Sequence, residues 1–121
     1  MATMLAYFAY FKGWIFADFE NISPQKAHTL LEQKSDFTLL DVRSSKAFNK
    51  DHLETAISIP FSFLSQANIT TNKVLIYSER GELSIEASRI LTKRGFEVLN
   101  LEGGVVFWIR AGYDMTKPNL D

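Results

Sequence analysis

The chain contains no cysteine. That excludes disulfides, thiolate-ligated metals and any cysteine nucleophile, and it fits a reducing, cytoplasmic setting. Histidine is almost as scarce: His28 and His52 are far apart and outside any zinc-ligand spacing, so neither a metal site nor another cofactor is expected. Neither sign of charge prevails. With 13 basic and 14 acidic residues among 121, the net charge of −1 offers no field for nucleic acid or an acidic membrane surface. Repeats and low-complexity segments are missing, and no apolar run reaches the ~20 residues of a membrane-spanning helix. What is there suffices for one ordinary domain that buries its own core.

Residues 1–17 carry a single charge, Lys12, and are apolar nearly all round, with Tyr7, Phe8, Tyr10, Phe11, Trp14 and Phe16 among them. The stretch is too short to span a bilayer and lacks the basic start of a signal peptide. It reads as an apolar helical extension over 1–18 that lies on the domain's own surface or makes a homodimer or membrane-surface contact.

The organising stretch is Lys73 to Ser84. Val74 to Tyr77 is a continuous apolar run of strand length, suited to a central strand buried on both faces. From Ser84 onward Ala87, Ile90 and Leu91 recur at helical spacing, with Lys93 and Arg94 in the last turn and Gly95 as the stop. The loop 78–83 thus joins the C-terminal end of a strand to a helix N-terminus, where ligands of α/β proteins gather.

Other segments follow the same logic. Phe19 to Ile22 is a short edge strand, and Ser23-Pro24 starts a helix with Ala27, Leu30 and Leu31 on one face. Phe37 to Val42 is a second buried strand. Ala47-Phe48 and His52-Leu53 mark a short helix or turn, Ala56 to Pro60 a short strand closed by proline, and Phe61 to Leu64 another short helix. Phe96 to Leu101 is the last strand; Gly103-Gly104 opens a helix over 105–110 in which Phe107 and Trp108 are expected in the core, and 116–121 is a polar tail. This alternation predicts an α/β fold with a mainly parallel central sheet and helices on both faces. Asp41 and Arg43 should then neighbour the Ser78 loop across one sheet edge.

Asp41-Val42-Arg43, Phe48, His52-Leu53, Ala56, Ile59-Pro60, the strand-loop-helix at Ser78, Leu101-Glu102-Gly103-Gly104, Trp108 and Ala111-Gly112-Tyr113 occur in an order that resembles the rhodanese-like domain over 19–115. The resemblance implies a loop whose first residue is a cysteine that accepts sulfur from a donor such as thiosulfate as a persulfide, cradled by backbone N–H groups. A basic residue near the loop's end commonly holds the anionic donor. Here Ser78 stands at the nucleophile position and Leu83 where many active relatives place arginine, while Gly81 and Ser84 keep their places. Asp51 and Thr55 occupy two positions that are often glycine.

A serine hydroxyl cannot carry persulfide chemistry. The acids Glu79, Glu82 and Glu86 also outnumber Arg80 and Arg89 around the loop, which weakens attraction for an anion. The expected function is a non-catalytic binding or regulatory module for a protein partner or a small anion, with loop 78–84 as a contact surface and Arg80 as its exposed contact. The alternatives are a thiosulfate-type sulfurtransferase whose cysteine is replaced by Ser78, and a phosphatase-like relative. A serine hydrolase would need His28 or His52 as base within reach of Ser78. The blander reading of Ser78 is a loop cap bonded to nearby backbone; that of Asp41 and Arg43 is a set of bonds tying loops together.

Overall fold

The apolar runs form the sheet. In the computed structural model, which describes residues 19–117, five strands are connected in the chain order β1 (Glu20–Ile22), α1 (Pro24–Glu32), β2 (Thr38–Asp41), α2 (Ser45–Lys50) and β3 (Ile57–Ser58). A 3₁₀ segment, Phe61–Gln66, precedes β4 (Lys73–Tyr77), α3 (Glu82–Lys93), β5 (Glu97–Leu101) and α4 (Gly104–Arg110). The spatial order is β1-β5-β4-β2-β3, with every pairing parallel. The expected α/β fold with its parallel sheet is therefore present, and β4 is its centre.

Burial explains the composition of the strands. Val74, Leu75, Ile76 and Tyr77 are all fully buried, because alternate side chains face two separate cores. Leu75 and Tyr77 join Ala27, Leu53, Val105 and Trp108 on one face; Val74 and Ile76 join Leu64, Ala87 and Leu91 on the other. Helices thus cover both faces. The strand expected over 56–60 shrinks to Ile57–Ser58, since Pro60 has no N–H to extend a ladder. Phe107 corrects the sequence reading: it is 43% exposed while Trp108 beside it is buried. On a helix of seven residues, Val105 and Trp108 fill the inward face and leave Phe107 outside.

Helix ends are set locally. Ser23 accepts a hydrogen bond from Lys26 N at 3.1 Å, and Pro24 occupies the first turn, where no donor is lost. Ser44 caps α2 in the same way through Ala47 N. The chain after α4 is fastened. Tyr113 stacks on His28 with centroids 4.2 Å apart, Trp108 Nε1 donates to Asp114 O, and Thr116 exchanges backbone bonds with His52. No helix among the described residues is long and apolar enough to cross a membrane. The expectations for residues 1–17 lie outside the described residues, as does most of the tail.

Candidate functional site

The C-terminal ends of β2 and β4 lie side by side, with Asp41 in register with Tyr77. Both are wholly buried. Tyr77 donates its hydroxyl hydrogen to Asp41 Oδ2 at 2.6 Å and accepts from Leu53 N at 3.1 Å. Arg43, only 6% exposed, closes the network: its Nε and Nη2 donate to the Asp41 carboxylate, Nη2 also donates to Asp51 O, and Nη1 reaches Glu79 Oε1 at 3.1 Å. Asp41 additionally accepts from Arg43 N. Every nitrogen of the guanidinium is engaged.

The electrostatics follow from that geometry. Burial pulls the Arg43 pKa down, but the hydrogen bond and charge of Asp41, with the bond to Glu79, outweigh it and hold the guanidinium above its ordinary value. Burial pushes the Tyr77 phenol well up, and the hydrogen bond and negative charge of Asp41 push it in the same direction. Both groups keep their protons throughout the physiological range.

The loop that follows β4 turns on two glycines. Gly81 has φ +97°, a left-handed conformation, and a Cβ there would meet Gly103 N at 3.1 Å. Gly104, at φ +58°, lies so close to the loop that a Cβ would fall 2.2 Å from Ser78 O. That approach lets the first turn of α4 donate to the loop: Val105 N to Ser78 O at 3.0 Å and Val106 N to Glu79 O at 3.1 Å. Orphan donors of α4 thus fix the carbonyls at 78 and 79. Gly103 and Gly104 both serve close approach, since a Cβ on either would collide with Phe107 or with the loop.

Ser78 is 1% exposed, and its hydroxyl is saturated. Its oxygen accepts from Gly81 N and Ser84 N, both at 3.1 Å, and its hydrogen is donated to Ser84 Oγ. Ser84 passes its own hydrogen to Gly81 O. Gly81 stands at the cap of α3 without a side chain, so Ser78 supplies the capping oxygen from three residues upstream. The capping account of Ser78 therefore holds. Neither histidine bonds to it: His52 Nδ1 pairs with Phe48 O, and His28 stacks on Tyr113 beside Trp108.

A pocket of about 320 Å³ opens over this loop, lined by Arg43, Ser44, Ala47, Ser78 and residues of the 79–83 turn that include Leu83. Leu83 is 41% exposed. Arg80 is exposed and makes no ion pair among the described residues; Glu82 is likewise exposed and unpaired. The rim acids are not equivalent, since Glu79 is held by Arg43 and Glu86 by Arg89 at 2.8 Å. The structure thus brings Asp41 and Arg43 to the loop, as expected. Sequence reasoning missed Tyr77 as the hub, Glu79 as a partner of Arg43, and Asp51 and Ala47 as neighbours. A phenol at the end of an otherwise aliphatic buried strand was the available signal for the first.

Of the two positions often occupied by glycine, Asp51 is extended, with φ −167° and ψ 157°, a conformation open to any residue. Thr55 has φ +73°. It holds a left-handed conformation that disfavours a β-branched side chain.

Comparison with known proteins agrees with this architecture. The family model described as "Rhodanese-like domain" matches residues 23–111. A sulfurtransferase of Allochromatium vinosum is 29% identical over 105 residues, covering 84% of this chain and 94% of that one. A Porphyra purpurea protein named "Probable molybdopterin-synthase adenylyltransferase" is 30% identical over 77 residues, 60% of this chain but only 20% of the relative's length. Among solved structures, a rhodanese-related protein of Thermoplasma volcanium superposes with a TM-score of 0.72 at 23% identity, covering 83% of this chain and all of that one, and so shares the fold. A parallel sheet in this order, a glycine-turned loop after its central strand and a family match over most of the chain lead to one conclusion: this protein belongs to the rhodanese-like domain family.

Proposed function

We propose that this rhodanese-like domain is a non-catalytic binding or regulatory module. The observation that carries the reading is the hydroxyl of Ser78, fully consumed as a helix cap at the residue where the resemblance places the family's sulfur nucleophile. Sulfur transfer from thiosulfate requires a thiolate that attacks the outer sulfur, forms a new S–S bond and expels sulfite with the electron pair of the broken one. No residue of the 121 can supply that thiolate.

The intact loop favours a second reading, a thiosulfate-type sulfurtransferase scaffold in which Ser78 has replaced the cysteine. Gly81 N and Ser84 N already converge on the side-chain atom of residue 78, as a sulfur cradle would require. Mass spectrometry after incubation with thiosulfate tests both readings, using the unmodified chain and Ser78→Cys side by side. The module reading expects no added sulfur on the unmodified chain. One added sulfur atom on Ser78→Cys would show a competent cradle and favour the second reading; none would place the divergence in the loop as a whole. Membrane-surface or homodimer contact through residues 1–17 belongs to the same proposal, and unchanged liposome binding and oligomeric state after their removal would overturn it.

A further inference from the structure

We propose that the pocket over the loop takes an apolar side chain of a protein partner, presented between an acidic and a basic residue that meet Arg80 and Glu82 at its mouth. This rests on the non-catalytic reading of the same loop and names the chemistry of what it binds.

The two buried polar side chains that form the floor have nothing left to offer. Arg43 is bonded through each nitrogen to Asp41, Asp51 or Glu79, and Ser78 makes all three of its hydrogen bonds within the loop. Displacing any of these partners would leave a buried donor or charge unsatisfied. Arg43 is therefore not available to an anion, and the one unpaired cation among the lining residues, Arg80, is accompanied by the unpaired anion Glu82. The apolar side chains open on the walls are Leu83, 41% exposed, and the half-buried Ala47.

Size and charge sharpen the choice. A volume of about 320 Å³ is at the lower end for ligand pockets and is large enough to admit an apolar side chain. Among the lining residues one unpaired cation, Arg80, and one unpaired anion, Glu82, flank Gly81 in the sequence and are exposed. That is the pattern of an interface anchor: an apolar side chain desolvated in a pocket, with a polar rim that sets orientation. A partner segment carrying acid, leucine-like residue and base in succession matches it.

The test is an amide chemical-shift titration of the whole chain with acetyl-Asp-Leu-Lys-amide, acetyl-Asp-Ala-Lys-amide and thiosulfate, each separately. The leucine peptide should give saturable shifts at Ala47, Gly81 and Leu83, with affinity on the order of 1–10 mM for so small a probe. It should bind roughly tenfold more tightly than the alanine peptide, and Leu83→Arg should erase that difference. Equal binding of the two peptides, shifts confined to the exposed Phe63 region, no saturable binding, or loop shifts with thiosulfate alone would each overturn the proposal. Loop shifts with thiosulfate that are not accompanied by sulfur uptake would end this inference and leave the non-catalytic reading standing. Sulfur uptake by the unmodified chain would end that reading instead.

Discussion

Tyr77 and Asp41 are register partners on adjacent central strands, and a 2.6 Å hydrogen bond joins the phenol of one to the carboxylate of the other. The bond matters because Asp41 is completely buried and its charge is balanced chiefly by Arg43. Through Leu53 N, Asp51 O and Glu79, the same cluster reaches the loop before β3 and the loop after β4. Tyr77→Phe removes one bond to Asp41 and leaves Leu53 N without an acceptor. It should destabilise the fold by about 1–3 kcal/mol in urea unfolding. Arg43→Leu, which strands a buried carboxylate, should be worse, about 3–5 kcal/mol.

The same phenol gives an alkaline signature. Burial and Asp41 hold Tyr77 above the ordinary phenol value of about 10, which it regains on unfolding. Below about pH 10 both states keep the proton; above it only the unfolded chain releases it, so the stabilisation declines as pH rises, by up to ~1.4 kcal/mol per unit. Urea midpoints measured from about pH 8 to about pH 11 should fall more steeply for the unmodified chain than for Tyr77→Phe. Parallel slopes would mean that the phenol titrates normally in the folded protein.

Thr55 makes an opposite kind of prediction. Its φ of +73° costs roughly 1–2 kcal/mol for a residue with a Cβ, and more unfavourably for a branched one. Thr55→Gly relieves that strain and loses part of the gain to greater unfolded-state freedom. The net expectation is stabilisation of about 0.5–1 kcal/mol, read as a higher melting temperature. Thr55→Ala should lie between the two.

Gly104 tests the attachment of the loop to α4. A methyl group 2.2 Å from Ser78 O has no room, because the neighbour is backbone. Gly104→Ala should break the bonds from Val105 N and Val106 N to the loop carbonyls and cost more than ~2 kcal/mol. Hydrogen exchange at those two amides should accelerate before exchange in β4 does. Retained protection at Val105 and Val106 would show that the loop is held in another way.

Much of this was legible in the chain because the features are local. β4 and β2 are apolar runs closed by polar residues, and α1 announces itself through Ser23-Pro24. The proximity of Asp41 and Arg43 to the loop followed from parallel strands, whose C-terminal ends share one edge. What escaped is set by tertiary geometry. Glu79 meets Arg43 across 36 residues of sequence, and nothing local marks it as different from Glu82. Phe107 looks like core in a short apolar helix; its outward rotation appears only once Gly103, against whose missing side chain it packs, is in place. Thr55 departs from a position that is often glycine, but its left-handed backbone is imposed by the surrounding fold and leaves no mark in the local sequence.

The central claim is that residue 78 caps a helix and performs no chemistry, and the most direct test is thiosulfate-to-cyanide sulfur transfer by the unmodified chain, compared with Ser78→Ala and with a protein-free blank. The prediction is identical rates in all three, with Ser78→Ala less stable by about 1 kcal/mol through loss of the cap. Turnover by the unmodified chain above the blank that disappears in Ser78→Ala would contradict it and make Ser78 a catalytic residue.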